Sequence, residues 1–397
     1  MAVTTAGGDS APRVALLNDP KVRAWIVQIV LLVALIWLAW LGIQNMFANL
    51  RAANISSGFG FLSNNAGFAI SQSLIEYEQG GSTYGRVFIV GLLNTLLVAV
   101  VGVIVATIIG FVVGIARLSQ NWVIAKLATV YIEALRNVPL LLQIFVWYFA
   151  VLRLLPSRRD ALDLGLFGQL NISGWYVPKP IYTDGIYIVL AAIAIAIIGI
   201  VILVRWARKR QEATGERFPV FRASLAAIIL LPLIAYFIGG MPLSFEYPTQ
   251  GNFGPRGGSR LYPEFLGLLL ALSTYTGAFI AEIVRAGILG INKGQTEASY
   301  ALGLKPSHTL RLVIVPQALR IIIPPLTSQY LNLTKNSSLA VAIAFPDLVS
   351  VFAGTALNQT GQAVEILMMT MLTYLALSLL ISAFMNWYNA RMALVER

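Results

Sequence analysis

The chain has 397 residues, of which 58% are hydrophobic and only 11% charged, with a net charge of +11; soluble domains have about 25% charged residues. This composition excludes a soluble enzyme, a disordered tail protein and a fibrous repeat, and it predicts a chain that crosses the membrane several times. The absence of cysteine and the single histidine, His308, exclude disulfides, thiol catalysis and multi-histidine metal sites.

Eight apolar regions are predicted to cross the bilayer, since a transmembrane helix needs about 20 residues. Five carry no Asp, Glu, Lys or Arg: Ala24–Leu50, Val87–Ala116, Gly185–Val204, Ala223–Phe245 and Ile366–Tyr388. Three contain charges: Asn121–Leu155, Tyr262–Gly290 and Ile321–Phe345. The predicted fold class is therefore an all-α polytopic membrane protein with both termini on one side. The first span exceeds the apolar part of a signal peptide, so we expect an uncleaved anchor.

The distribution of basic residues predicts the orientation. With both termini cytoplasmic, most Lys and Arg residues face inward, including Arg13, Arg397 and the cluster Arg205–Arg210 directly after an uncharged span. This bias explains the net charge, which in a soluble chain would suggest a nucleic-acid partner. No nucleic-acid partner is therefore expected.

Three stretches outside the predicted spans are rich in Gly, Pro, Ser, Asn or Tyr, which is typical of irregular loops. They are Arg51–Arg86, Pro156–Asp184 and Met241–Pro263. All three are predicted to lie on the outer face.

The charges inside three spans need an explanation, because each costs about 2.5–3.5 kcal/mol at the centre of a membrane helix. One interpretation is that the charged side chains line a polar path or a subunit interface. The other is that they lie at the ends of the spans and extend to the lipid headgroups. Both interpretations stay open for Glu282 and Arg285, which lie near a cytoplasmic loop. Lys335 is deeper in its span and precedes Asn336-Ser337-Ser338, which favours a path.

The region Asn121–Leu155 is too long for one span, since as a single helix it would extend about 52 Å. Pro139 lacks a backbone donor and disfavours helix just before it. We predict a helix from Trp122 to Arg136 and a short span from Pro139.

Small residues recur at every fourth position of the second span, which places them on one helix face. They are Gly102, Ala106, Gly110 and Gly114. This spacing predicts close packing against another helix.

The polar region Ile291–Arg320 predicts a helical hairpin on the cytoplasmic surface. Asn292 and Gln295 resemble a capping box, and Gly303 suits a left-handed stop after a first helix. Pro306 opens a second helix that we expect to end at Val315, before Pro316. Five apolar side chains are predicted to be exposed and to need a partner: Tyr300, Leu302, Leu304, Leu310 and Val313.

The hairpin residues carry a resemblance to a known family. Glu297-Ala298-Ser299, then Gly303, then Val313-Ile314-Val315-Pro316 resembles the EAA motif of bacterial ABC-importer permeases. Ser299, Val313 and Val315 depart from the motif but keep its size or apolar character. The resemblance implies that Glu297, Ala298, Ser299, Gly303 and Pro316 form coupling helices that dock on a separate ATP-binding subunit.

Further motifs resemble those of polar amino-acid permeases. Glu133, Arg136 and Pro139 belong to a segment similar to the family pattern E-x-x-R-x-x-P-x-x-x-Q. The other matching segments are Asn94–Leu96, Ala281–Ile288 and Lys335–Leu339. The extra spans make the chain similar to the long permease subunit of general L-amino-acid transporters.

The resemblance implies a type I importer core of five helices plus three extra helices. Residues 1–86 are expected to form a tail, an extra span and a periplasmic loop, and residues 152–261 an insertion with two extra spans. Residues 87–151 and 262–397 are expected to form the core, with the coupling loop at 291–320.

The implied function is the membrane-spanning subunit of an ATP-driven importer of polar amino acids in the bacterial inner membrane. Its implied partners are ABC ATPase subunits holding ATP and Mg, a second permease subunit in a heterodimer, and a periplasmic amino-acid-binding protein. No cofactor is expected on this chain, and membrane lipid surrounds it.

The substrate pathway is predicted around Lys335. Its ammonium would face the substrate carboxylate, while Asn336, Ser337 and Ser338 would add hydrogen bonds and Glu282 would face the substrate ammonium. Six outer aromatic residues are predicted to form interfacial belts, or else a docking surface for the binding protein: Trp175, Tyr176, Tyr182, Tyr187, Tyr247 and Tyr262.

Two other classes of protein compete with this interpretation. An ion-coupled secondary amino-acid transporter would need acidic residues deep in its spans and often has two inverted halves. A membrane-embedded enzyme would need a nucleophile with a base, or metal ligands, which the composition argues against.

Overall fold

A computed structural model describes residues 20–52 and 58–392. Seven helices in these ranges are long and apolar enough to cross a membrane, and a bent helix pair brings the number to eight. The prediction of a polytopic helical protein is confirmed. The N-terminal tail with Arg13, the loop residues 53–57 and the C-terminal Arg397 lie outside the described ranges.

The helices are numbered in chain order. Their bounds are α1 Pro20–Ala52, α2 Tyr84–Ala116, α3 Trp122–Asn137, α4 Leu140–Phe145, α5 Ile186–Thr214, α6 Val220–Ile238, α7 Pro263–Leu289, α8 Lys293–Ala301, α9 Pro306–Thr309, α10 Val315–Asn336, α11 Leu357–Thr360 and α12 Ala363–Met392. Wider π-helical turns occur at Val146–Val151, Leu310–Ile314 and Val349–Ala356, and a 3-10 helix at Ser337–Ile343.

Helices α2 and α7 form the centre of the bundle and pack side by side in the same direction. The small-residue face of α2 makes this contact possible, as predicted. A Cβ atom at Gly110 would overlap Cγ2 of Ile280, and one at Gly114 would lie 2.6 Å from the carbonyl oxygen of Ala281. Only glycine therefore allows the two backbones to approach this closely.

Replacing Gly110 with leucine should destabilise this contact, because overpacking a tight core costs typically about 1–3 kcal/mol. We expect a lower thermal unfolding midpoint of the detergent-solubilised protein and a lower yield. Gly199→Leu in α5 is the matched control, since a Cβ atom there meets no atom within 4 Å. Equal midpoints for both variants would contradict the packing assigned to α2 and α7.

The predicted break near Pro139 is confirmed. Helix α3 and the segment Leu140–Leu154 meet at an angle of 109°. The amide of Gln143 donates hydrogen bonds to the carbonyl oxygens of Leu135 and Val138, at 2.8 and 2.9 Å. A side chain thus satisfies the backbone acceptors that the break leaves free, as a membrane environment requires.

The stretches Pro156–Asp184 and Met241–Pro263 are not irregular loops, so that prediction is wrong. They form short antiparallel strands: β1 Leu162–Asp163, β2 Gln169–Asn171, β3 Gly174–Val177, β4 Lys179–Tyr182, β5 Leu243–Glu246, β6 Thr249–Gly251, β7 Gly254–Arg256 and β8 Ser259–Leu261. Strand β3 pairs with β8, and β4 pairs with β5. Each strand has only two to four residues, and four of the eight contain Gly or Pro, so the sequence of these stretches resembles a loop.

Helices α5 and α6 pack beside each other and form the α5–α6 hairpin. Helix α6 ends at Ile238, earlier than the predicted Phe245, which lies in β5. Few side chains of the hairpin are buried: Ala196, Ala207 and Ala235 are the buried apolar ones. Its apolar surface is thus left open to lipid or to another chain.

Candidate functional site

The turn of the predicted hairpin forms as its sequence suggests. The Asn292 side chain accepts a hydrogen bond from the Gly294 backbone amide at 2.8 Å and caps α8. Gly303 has φ +77°, in the left-handed region, and its N–H donates to the carbonyl of Tyr300 at 2.9 Å. The Leu304 N–H donates to the carbonyl of Ser299 at 3.1 Å. These two bonds form a Schellman motif, which confirms the predicted glycine stop.

The second helix does not stop at Val315, so that prediction is wrong. Helix α9 continues through the wide turn Leu310–Ile314 into α10. Pro316 lies in the first turn of α10, where the missing N–H of proline is tolerated. A movement of the hairpin would therefore act directly on a helix of the bundle.

The two arms of the hairpin are held together by polar side chains. The buried Ser299 hydroxyl donates to the hydroxyl of Thr309 at 3.0 Å. The Gln317 amide donates to the Gln295 side chain at 3.1 Å, so Gln295 does not complete the capping box. The serine that departs from the EAA motif thus has a hydroxyl partner on the other arm.

The outer surface of the hairpin is apolar and open. Tyr300, Leu302 and Leu310 are exposed as predicted, with Leu302 82% exposed. Leu304 and Val313 are half-buried, and Leu312 is exposed instead, because the wide turn changes the helical phase. Glu297 and Ala298 are also exposed, and Glu297 forms no ion pair with another described residue.

Charged side chains meet where α2 and α7 end, next to the hairpin. Arg117, which follows α2, pairs with Glu282 of α7, and its Nη2 lies 3.7 Å from Oε1 of Glu133. Arg285 Nη2 lies 2.6 Å from Glu282 Oε1. Glu282 is therefore held by two arginines in this structure, and its predicted role toward a substrate ammonium stays a prediction.

The family-motif residues lie around the break between α3 and α4. Glu133 extends toward Arg117, and the guanidinium of Arg136 lies 5.2 Å from the ring centroid of Phe279. Pro139 precedes α4 as its N-cap residue. This motif thus attaches the bent helix pair to α2 and α7.

Glu282→Gln should destabilise the bundle, because a half-buried charge that loses its partner costs about 1–3 kcal/mol. We expect a lower thermal unfolding midpoint in detergent. Glu216→Gln is the control, since its pair with Arg210 is more exposed (71% for the Glu216 side chain) and such pairs contribute about 0–1 kcal/mol. A larger effect at Glu216 would contradict this assignment.

An open cavity of about 440 Å³ lies between the end of α10 and α12. Lys335 and Ser338 line it, whereas Ser337 is buried and donates to the carbonyl of Thr334 at 2.7 Å. Asn336 is half-buried. The remaining residues around the cavity are Val349, Thr370, Met371, Tyr374, Leu375 and Ser378. An ammonium and several hydroxyls thus share one apolar cavity.

Glu282 lies at another level of the bundle. Ala281 and Val284 pack on Gly114, whereas Leu333 packs on Gly102, and these glycines are about 18 Å apart along α2. The structure therefore does not bring Glu282 and Lys335 together.

A buried polar cluster behind the cavity was missed from sequence. Asp347 is fully buried and accepts hydrogen bonds from the Ser350 N–H at 2.8 Å and the Tyr374 hydroxyl at 3.3 Å. Asn94 and Thr95 anchor the same loop: the Asn94 amide donates to the carbonyl of Pro346, and the Thr95 hydroxyl accepts from the Leu348 N–H. The lone carboxylate within the apolar stretch around Phe345 was the available signal.

The spans, the bent helix pair and the exposed hairpin together are the features of a membrane permease. Residues 218–394 match the family described as binding-protein-dependent transport system inner membrane component. The chain is 56% identical to the general L-amino acid transport system permease protein AapQ of Rhizobium johnstonii, over 96% of this chain and 95% of AapQ.

Two further relatives extend over 96% of this chain and 96% of their own length. The chain is 52% identical to the putative amino-acid ABC transporter permease protein YhdX of Escherichia coli. It is 41% identical to the glutamate/glutamine/aspartate/asparagine transport system permease protein BztB of Rhodobacter capsulatus. This chain belongs to the family of amino-acid ABC importer permeases, and it is a multi-pass membrane protein. These relatives give no support to an ion-coupled transporter.

Proposed function

We propose that this chain imports polar L-amino acids with energy from a separate ATPase that holds ATP and Mg. The observation that carries the proposal is the apolar surface of the hairpin, where Tyr300, Leu302 and Leu310 are open. An exposed apolar patch on an ordered element indicates a protein partner. Polar substrates are supported by the names of AapQ and BztB.

The hairpin lies on the cytoplasmic face of the bacterial inner membrane in this proposal. The positive-inside rule supports that orientation, since the basic cluster Arg205–Arg210 and the hairpin fall on one side when both termini are cytoplasmic. The chain then presents its β-strands to the periplasm, where a binding protein delivers the amino acid.

The continuous helix from Pro306 to Asn336 connects the hairpin to the cavity. Closure of the ATPase would shift the hairpin, and packed helices would transmit this shift as a change between two arrangements of the bundle. At the far end of this helix, Lys335 would attract the substrate carboxylate, and Ser338 would donate a hydrogen bond. The open side of the cavity fits a second permease subunit, which we propose to be a different chain.

The test is affinity purification of the tagged full-length chain from native membranes. We expect an ATPase and a second permease to copurify in stoichiometric amounts. Uptake of glutamate or glutamine should stop on ATP depletion and continue when the proton gradient is dissipated. Uptake that follows the proton gradient, without a copurifying ATPase, would contradict the proposal.

A further inference from the structure

The turn between α5 and α6 concentrates positive charge at the end of an exposed hairpin. Residues 205–222 contain two acidic residues, Glu212 and Glu216, and six basic ones. The basic residues are Arg205, Arg208, Lys209, Arg210, Arg217 and Arg222. The turn therefore carries a net charge of +4.

One basic residue of this cluster stabilises the turn. Arg210 pairs with Glu216 at 2.9 Å, and its guanidinium lies 5.4 Å from the ring centroid of Trp206. The Trp206 ring meets Phe218 edge to face at 5.4 Å. Gly215, with φ +75°, ends the helix. These contacts join the end of α5 to the start of α6 and give the other cations an ordered support.

The remaining five basic residues are exposed, and none of them forms an ion pair within the described part of the chain. Arg205, Arg208 and Lys209 have the spacing i, i+3 and i+4, so they lie on one face of α5. Three positive charges thus project from one helical surface, and Glu212, one turn further along the same face, forms no ion pair with them in the described residues.

The position of this surface along the helix matches that of lipid headgroups. The apolar part of α5, Ile186–Val204, extends about 28 Å, close to the ~30 Å of a bilayer core. Arg205 follows it immediately. Trp206 and Phe221 are 46% and 78% exposed beside the cations, and aromatic side chains prefer the membrane interface.

We propose that this turn is a binding site for the phosphate headgroup of anionic phospholipids. Arginine donates paired hydrogen bonds to phosphate oxygens, and basic residues beside a span attract anionic lipid. The α5–α6 hairpin has few buried side chains, so bilayer lipid has access to it. If the turn instead bound an acidic protein surface, its cations would not need to lie at the level of the lipid headgroups beside aromatic side chains. The proposal is independent of the transported substrate and of which membrane face carries the turn.

The experiment is native mass spectrometry of the purified full-length complex in detergent, titrated with equal concentrations of phosphatidylglycerol and phosphatidylcholine. We expect the wild type to retain phosphatidylglycerol preferentially. Each basic residue near an anionic surface contributes about fivefold to affinity. The triple variant Arg205→Gln/Arg208→Gln/Lys209→Gln should therefore lower the preference at least about tenfold.

The matched control removes three exposed charges from the stretches that carry the β-strands: Arg159→Gln/Lys179→Gln/Arg256→Gln. It should keep the wild-type preference, and so should the charge-conserving variant Arg205→Lys/Arg208→Lys. If the triple variant fails to assemble, the three single variants should each show a partial loss. Unchanged phosphatidylglycerol binding in the neutralised variants, with or without loss of a copurifying subunit, would overturn the proposal.

Discussion

Gly303→Val is expected to weaken coupling to the ATPase strongly while the chain still inserts into the membrane. Gly303 has φ +77° and ends α8 on the exposed hairpin. The left-handed conformation costs about 1–2 kcal/mol for a residue with a Cβ atom. Because no atom lies within 4 Å of the Cβ position, the valine would project outward, toward the proposed docking surface. Copurification of the ATPase and amino-acid uptake should both fall at least about tenfold, or about 1.4 kcal/mol of docking free energy.

Gly361→Val provides the matched control for this variant. Gly361 also ends a helix with a left-handed conformation, φ +68°, and a Cβ atom there has the same free space. The backbone strain is similar, but Gly361 lies outside the hairpin. The Gly361→Val variant should lose some stability and should still copurify with the ATPase. If Gly303→Val copurified with the ATPase and transported normally, the role of the hairpin would be refuted.

Lys335→Met should lower uptake at least about tenfold with assembly intact, since a lost charge-assisted hydrogen bond costs about 1.5–3 kcal/mol. Lys335 is exposed and lines the cavity with Ser338, Thr370 and Tyr374. The Lys335 ammonium supplies the positive charge on the wall of the cavity. Removing it leaves the substrate carboxylate without a counter-charge, so the apparent affinity should weaken first.

Two variants separate this role from a general charge effect. Lys335→Arg keeps the positive charge and should retain a substantial part of the uptake. Lys179→Met removes an exposed lysine from β4 and should have no effect. Normal transport by Lys335→Met in a complex of normal composition would place the substrate site in another chain.

Features set by local chemistry were predictable from the sequence. The break at Pro139 depends on the missing backbone N–H of proline. The stop at Gly303 and the close packing of α2 depend on the missing Cβ atom of glycine. The continuation of the helix through Pro316 was not predictable, because the wide turn before it depends on the tertiary context. A proline that would end a regular helix is tolerated once it starts a new hydrogen-bonding register.

Contacts between distant segments escaped sequence analysis. Trp175 pairs with Leu261 across the insertion, and Arg117 reaches Glu282, which lies 165 residues further along the chain. The cluster at Asp347 joins three separate segments around one carboxylate. A single sequence does not indicate which remote residues meet, so the predicted pathway grouped Glu282 with Lys335.

The pairing of β3 with β8 and of β4 with β5 has an architectural consequence. The chain leaves the core and returns to it at adjacent points, after crossing the membrane an even number of times. The direction of every later helix is therefore the same as it would be if a short connector joined Val177 to Ser259. Removal of residues 178–258, with the α5–α6 hairpin, as one segment would therefore leave the topology of the other helices unchanged.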